Sequence, residues 1–255
     1  MTTSPPGAAA DRFAAAPVDA GGTPESEWAD HTSFAHLDVH ACPALLVVAP
    51  HPDDEILGVG ALASELAARG VPVSVLSVTD GEASHPDSPT VTPTELAGLR
   101  RVESRRAAQR LGLPEAVPLG LPDGRVGDHE TKLATTIAEH LHPGAWCAAP
   151  YRHDGHPDHE ATGRAAAEAA RRSGAVLIEY PVWLWHWSHP GDPSVPWERA
   201  RTFHPSGYRH RRKRDAVAEF TSQITDLSRD PADRAILPQH VLDRLLRAHE
   251  TVFVP

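Results

Sequence analysis

The sequence predicts an α/β fold, a single domain with a mostly parallel sheet flanked by helices. Residues 44–49 form an apolar run of strand length, residues 56–69 carry Ile, Leu and Ala at helical spacing, and residues 71–79 alternate as a second strand. This order is a βαβ unit, which builds a parallel sheet. The chain has 255 residues, 40% of them hydrophobic, which is enough for one sizeable core.

The later elements continue the same alternation, which makes the predicted sheet Rossmann-like. Thr92 to Glu95 has the form of a capping box, and the helix it opens is stopped near Leu111 by Gly112. The other predicted elements are a helix from Asp128 to 141, a strand at 145–149, a helix at 157–172 ended by Gly174, an irregular loop at 188–208, and helices at 210–227 and 238–249. No break in this pattern divides residues 26–255.

The N-terminal residues 1–25 are rich in Ala, Pro, Gly and Ser, and we expect them to form a disordered tail. They lack the charged start and apolar centre of a signal peptide. No apolar stretch approaches the ~20 residues needed to cross a bilayer, so we expect no stable membrane insertion. Cys42 and Cys147 lie at or beside predicted strands. They indicate free buried thiols in a reducing compartment, hence a cytoplasmic location.

Two clusters of polar residues follow predicted strands. The first is His51-Pro52-Asp53-Asp54-Glu55, and the second is Asp154-Gly155-His156-Pro157-Asp158-His159. A helix beginning at Pro52 would bring His51 and Asp54, three residues apart, to one side of its first turn. His156 and His159 repeat this spacing, so one of them can supply a second imidazole. Two histidines and a carboxylate leave a metal position open for water, as in catalytic zinc sites. Both clusters lie outside the carboxyl ends of strands, where such sheets bind ligands.

These two motifs, in this order and in a βαβ context, resemble those of the zinc-dependent de-N-acetylases of the PIG-L/LmbE-like family. The resemblance covers roughly residues 43–225. It implies a metal-dependent hydrolase that removes an acetyl group from a small-molecule N-acetylglucosamine-type sugar conjugate. It also implies a residue-by-residue assignment of the site.

In that assignment His51, Asp54 and His159 bind zinc, Asp53 is the general base and His156 assists the tetrahedral intermediate. Zinc lowers the pKa of its bound water to roughly 7 and polarises the acetyl carbonyl. A protonated His156 can stabilise the oxyanion or protonate the departing amine, oriented by Asp158 or Asp154.

Three further matches indicate substrate-binding residues. Arg100 aligns with a family arginine that reaches the sugar, Asp123 with an aspartate that binds sugar hydroxyls, and Glu82 has a similar rim position. The chain departs from the family pattern at Pro50, where many members have Ala, and at Asp154, where many have an aromatic residue. We therefore hypothesise that Asp154 raises the pKa of His156 by favouring its charged form.

Several alternatives fit the same residues. Two imidazoles and a carboxylate also suit Fe²⁺. An amidase of this scaffold acting on a larger thiol-conjugate or antibiotic amide would use identical metal chemistry, and a non-catalytic sugar-binding protein could retain the fold. A dinucleotide enzyme would need a Gly-x-Gly-x-x-Gly turn where this chain has the first cluster.

Two surface patterns remain. Trp183, Trp185 and Trp187 would share one face of a strand, suited to sugar stacking, to the core or to a homo-oligomer interface. Residues 209–214 are basic and could meet phosphate or an anionic surface. Against a formal net charge of −10, a solvated helix start is the better interpretation, and nucleic acid is not an expected partner.

Overall fold

The computed structural model describes residues 12, 15–29, 31 and 34–255. The strands are β1 (Ala35–His36), β2 (Leu45–Ala49), β3 (Val73–Ser77), β4 (Val117–Pro118), β5 (Trp146–Pro150), β6 (Val176–Tyr180), β7 (Ala200–Phe203) and β8 (Glu250–Phe253). The helices are α1 (Glu25–Trp28), α2 (Asp54–Ala68), α3 (Pro93–Leu111), α4 (Glu130–Glu139), α5 (Pro157–Ser173), α6 (Leu184–Trp187), α7 (Gly207–Val217), α8 (Thr221–Ile224) and α9 (Gln239–Leu245).

Within the described residues, the strands form one sheet in the order β1-β7-β8-β6-β5-β2-β3-β4. Its pairings are parallel except those of β8 with β6 and β7. The predicted mostly parallel α/β sheet is thus confirmed. After β2 the chain continues to β3 and β4 on one side and returns to β5 on the other. The carboxyl ends of β2 and β5 therefore border a topological switch point, where open sheets of this kind bind ligands.

Helices cover both faces of the sheet and give it two hydrophobic cores. Leu45 and Val47 of β2 pack into one core, and Leu46 and Val48 pack into the other. Successive side chains of a strand point to opposite faces, so this uninterrupted apolar run serves both layers.

Several helix boundaries agree with the sequence. Thr92 and Glu95 form the predicted capping box of α3, and α5 begins at Pro157. The predicted irregular loop at 188–208 is wrong at 200–203, where β7 lies. β7 pairs with β1 and β8, elements distant in the chain.

The tryptophan segment is not a strand. β6 ends at Tyr180, and α6 contains Trp185 and Trp187. Trp185 packs edge-on against Trp28 with ring centroids 5.0 Å apart. The core interpretation therefore holds for this side chain, while the shared-face expectation is wrong.

The predicted tail at 1–25 lies partly outside the described residues, at 1–11, 13 and 14. In its described part, Val18–Ala20 forms a 3₁₀ helix and Val18 packs against the core. Arg244 donates to the carbonyl of Gly21 at 2.9 Å. In the described part of the chain, no helix has the length and apolar character that a bilayer crossing requires.

Candidate metal centre and active site

The first cluster lies between β2 and α2. The helix starts at Asp54, two residues later than expected, and Asp53 occupies the N-cap with φ 147° and ψ −30°. Among the described residues, it is the one non-glycine residue with a positive φ. A backbone conformation of this kind costs on the order of 1–3 kcal/mol, and residues that adopt one cluster at functional sites. The Asp53 N–H donates to Glu55 Oε2 at 3.1 Å, which helps to hold this conformation.

The second cluster lies between β5 and α5. His156 is the N-cap of α5, and its Nδ1 accepts the Asp158 N–H at 3.2 Å. A backbone N–H can only donate, so the proton of a neutral His156 ring is on Nε2. The His156 ring centroid is 5.0 Å from that of His51 and 4.9 Å from that of His159. The strand ends therefore bring three imidazoles together, as the parallel sheet predicted.

A buried group of potential metal ligands stands where the two clusters meet. One ligand atom each of His51, Asp54 and His159 lies within 4.8 Å of the others. His159 Nδ1 bonds the Asp154 carboxylate at 2.9 Å. Its Nε2 is buried 3.2 Å from Asp54 Oδ2, and among the described residues it makes no hydrogen bond of good geometry. An imidazole nitrogen fixed in this way beside a carboxylate is the donor set that a divalent cation binds.

A second group shares His51, with Asp123 and Asp158. His51 Nε2 lies 3.1 Å from Asp123 Oδ1 and 3.4 Å from Asp158 Oδ2. The Asp158 carboxylate also accepts the N–H groups of Gly124 at 2.7 Å and Val126 at 3.1 Å. The carboxylate therefore anchors the loop that carries Asp123, while the Asp158 backbone N–H is the group that bonds His156.

The charges of the first group stabilise one another. Burial would raise the pKa of Asp54, but contacts with His159 and His51 hold it well below its usual value. Burial would lower the pKa of His159, yet Asp54 and Asp154 raise it to about 9. The pKa of His51 is also raised against burial, through its contacts with Asp123, Asp158 and Asp54. The site thus concentrates negative charge around imidazole nitrogens, which favours a cation.

Asp53 faces Arg100. Arg100 Nη2 donates to Asp53 Oδ2 at 3.0 Å and to the Pro52 carbonyl at 3.0 Å, while Nη1 donates to the Gly81 carbonyl at 2.9 Å. Burial raises the pKa of Asp53 to about 7, against the lowering effect of the Arg100 charge. A carboxylate with such a pKa can exchange a proton near neutral pH.

His156 does not behave as the sequence suggested. Burial first, and then the neighbouring His159 and His51, lower its pKa well below the usual value. The hypothesis that Asp154 raises this pKa is wrong, because the Asp154 carboxylate bonds His159 and the backbone of 182–184 instead. A neutral His156 can still donate through Nε2–H.

These residues border a cavity of about 620 Å³. His51, Asp53, Asp54, Arg100, Asp123, His156 and His159 all line it. Glu82 does not line the cavity; its Oε1 accepts the Asp123 N–H at 3.0 Å. Of the expected substrate residues, the structure therefore places Arg100 and Asp123 at the cavity and Glu82 behind Asp123.

Trp183, which the sequence singled out, also lines the cavity. Other lining residues carried no local signal in the sequence: Gln223, Ile236 and Leu237 reach the cavity from a segment far along the chain. The Leu237 N–H donates to the Gln223 carbonyl at 2.8 Å. Only the folded arrangement of 221–237 could reveal these three residues.

Comparison with known proteins agrees with this fold. A family model described as PIG-L, GlcNAc-PI de-N-acetylase, matches residues 46–170. A probable N-acetyl-α-D-glucosaminyl L-malate deacetylase 2 from Bacillus anthracis is 32% identical over 132 residues, 49% of this chain and 58% of that protein. The chain spans about half to three-fifths of the lengths of the curated relatives it matches.

Solved structures extend the comparison. The conserved protein TT1542 from Thermus thermophilus is 30% identical with a TM-score of 0.53, over 71% of this chain and 80% of that one. The zinc-inhibited form of teicoplanin deacetylase Orf2 has a TM-score of 0.60 over 83% of this chain and 97% of that one. At 21% identity, the second shows the fold alone.

Fold and site together define an α/β protein with a histidine and carboxylate centre at the switch point of its sheet. The chain belongs to the PIG-L family.

Proposed function

We propose that this protein is a metal-dependent hydrolase that removes the acetyl group from an N-acetylglucosamine-type sugar conjugate. The observation that carries the proposal is the convergence of His51, Asp54 and His159 with Asp53 and His156 in the lining of one cavity. The names of the family and of the Bacillus relative support the substrate class.

His51, Asp54 and His159 would hold the cation, with Zn²⁺ as the expected ion and Fe²⁺ as the alternative. When bound, it would supply an acidified water and a Lewis acid for the acetyl carbonyl. Asp154 fixes the His159 ring so that Nε2 remains available, since Nδ1 is engaged. This is the usual support of a metal-binding histidine.

Asp53 acts as the general base. Its carboxylate is held by Arg100, lines the cavity and has a pKa of about 7. His156 assists from the other strand end by donating its Nε2–H to the carbonyl oxygen as negative charge develops. General acid–base groups of this kind contribute typically about 10²–10⁴-fold to the rate.

The substrate is a small-molecule amino-sugar conjugate. Asp123 and Arg100, at the cavity, would bind sugar hydroxyls, and Glu82 would position Asp123 through its backbone bond. A cytoplasmic location is part of the proposal and is supported by the buried free thiols of Cys42 and Cys147.

The test is acetate and amine release from a panel of N-acetylglucosaminides. We would compare Zn²⁺-loaded protein, chelated protein and Asp53→Asn, with metal content measured for each. We expect release to need the metal and to fall about 10²–10⁴-fold in Asp53→Asn, while this variant still binds one ion per chain.

Asp128→Asn is the matched control, since Asp128 is exposed and pairs with Arg125 on the surface. It should retain full activity. Equal release by Asp53→Asn and wild type would remove Asp53 from the mechanism, and no release from metal-loaded protein would contradict deacetylation of these sugars.

A further inference from the structure

The lining of the cavity contains two unlike groups of residues. The polar group contains the proposed ligands with Asp53 and His156, all within the family match at 46–170. A second group, here called the apolar wall, consists of Val18, Val182, Trp183, Ile236 and Leu237. Every residue of the wall lies outside the matched region. The lining outside that region also includes the polar residues Asp19, Gln223 and Arg234, so the wall is the apolar part of a mixed surface.

One part of the wall, Val182 and Trp183, is held by the same carboxylate that bonds His159 of the proposed metal centre. Asp154, which is fully buried, accepts N–H groups from Val182 at 2.9 Å and Trp183 at 2.9 Å. The same carboxylate bonds His159 Nδ1 at 2.9 Å. The wall therefore has a defined position relative to the proposed reaction centre.

A second part of the wall, Ile236 and Leu237, belongs to the segment 226–237. Asp233 is fully buried and accepts hydroxyls from Ser88 at 2.5 Å and Thr90 at 2.8 Å, which ties this segment to the rim after β3. The Leu237 N–H donates to the Gln223 carbonyl at 2.8 Å. Ile236 and Leu237 are thus placed beforehand, and a pre-formed surface binds without an ordering cost.

The third part comes from the N-terminal segment. The Val18 carbonyl is bonded by His240 Nε2 at 3.1 Å, and Arg244 bonds the carbonyls of Gly21 and Thr23. These contacts place Val18 at the cavity although it is distant in the chain from the other wall residues.

A sugar alone does not match such a wall. Hydroxyls turned towards it would lose their hydrogen bonds to water without replacement, which is costly. An apolar group at the same place would gain free energy from burial.

Building on the function proposed above, we propose that the substrate carries an apolar group beside the acylated amino sugar, and that the apolar wall binds it. This group is either an N-acyl chain longer than acetyl or an apolar substituent on the anomeric oxygen. Both have the same chemistry, and they are separated by experiment.

The experiment measures kcat/KM of the Zn²⁺-loaded full chain on two series. One is methyl glucosaminide with N-acetyl, N-butanoyl or N-hexanoyl groups, and the other is N-acetylglucosaminide with methyl, butyl or hexyl aglycones. We expect kcat/KM to rise along one series by up to about fourfold per buried methylene. The series that rises identifies where the apolar group is attached.

Ile236→Asn, at the half-buried wall residue, should flatten that rise, and Val18→Asn should do the same from a separate segment. The matched control is Ile224→Asn, because Ile224 is also half-buried and does not line the cavity. This control should keep the wild-type ratio of kcat/KM between the long and the short members of the series.

A flat dependence in both series, with the shortest members turned over, would overturn the wall proposal. If no member is turned over, the proposed function fails, and calorimetry with the shortest and longest members of both series decides the wall separately. Tighter binding of a longest member that Ile236→Asn abolishes would support the wall, and equal binding of the short and long members in both series would overturn it.

Discussion

The carboxylate of Asp154 accepts a hydrogen bond from His159 Nδ1 at 2.9 Å. It also accepts the N–H groups of Val182, Trp183 and Leu184 at 2.9 to 3.0 Å. One buried side chain therefore orients a proposed metal ligand and closes the turn after β6. This explains why the position tolerates a charge inside the protein, since four donors compensate it.

Asp154→Asn should lower Zn²⁺ affinity. The amide offers a single acceptor oxygen and turns its NH₂ towards donors, so the His159 ring loses its support. Loss of such a partner typically costs about 10–100-fold in metal affinity. Competition with a chromophoric chelator measures this.

The control is Asp192→Asn. The Asp192 carboxylate accepts the Ser194 N–H and the Ser188 hydroxyl in a loop that does not line the cavity. It should bind Zn²⁺ like the wild type. Wild-type affinity in a folded Asp154→Asn protein would show that the bond to His159 does not support metal binding.

The buried Lys213–Glu250 pair makes hydrogen bonds to backbone groups of α2 at the point where the helix is interrupted. Val59 leaves helical geometry there with φ −137°. Lys213 Nζ donates to the Leu57 carbonyl and to Glu250, both at 2.7 Å. The Glu250 carboxylate accepts the N–H groups of Ala61 and Leu62, both at 2.8 Å.

Lys213→Met should therefore destabilise the protein by about 3–5 kcal/mol, because it leaves a buried carboxylate uncompensated. Urea unfolding measures the loss. Arg171→Ala removes an exposed ion pair with Glu168 and should leave the unfolding midpoint unchanged. Similar midpoints for both variants would refute this role of the pair.

Two helical glycines should respond to alanine with opposite signs. A Cβ on Gly58 would lie 2.2 Å from the Tyr180 ring, which is fixed because its hydroxyl donates to the Val48 carbonyl at 2.8 Å. Gly58→Ala should cost about 1–3 kcal/mol or more through overpacking. Gly98 is exposed on α3 with open space around it, so Gly98→Ala should gain about 0.5–1 kcal/mol. Thermal unfolding of both variants checks the signs, and a stabilised Gly58→Ala would contradict the packing argument.

The free energy of unfolding should decrease at acidic pH because of His249. Burial, and then the charges of Arg247, His204 and Lys213, lower its pKa to about 4, against ~6.5 in an unfolded chain. Between these values the unfolded chain binds a proton that the folded protein does not, so the free energy of unfolding decreases as the pH falls.

His249→Gln should make this slope shallower by up to about one proton between pH 4 and 6.5. Denaturant titrations at several pH values measure it, with exposed His140→Gln as the control. The explanation would fail if His249→Gln kept the wild-type slope.

Local patterns predicted much of the fold. The apolar runs of β2 and β5, the capping box at Thr92 and Glu95, and the His156-Pro157 start of α5 depend on residues adjacent in the chain. Such features can be recognised without knowing what packs against them. β7, in contrast, is a strand because distant strands pair with it, and the predicted loop there was wrong.

By itself, the sequence determined the α/β class and the two polar clusters that meet at its switch point, because strand periodicity and motif spacing are properties of neighbouring residues. Only the tertiary structure decided that the Asp154 carboxylate bonds His159, that Lys213 is buried, and that the apolar wall lines the same cavity as the site. These relationships join residues far apart in the chain. Burial and charge arise from those contacts, and no local pattern records them.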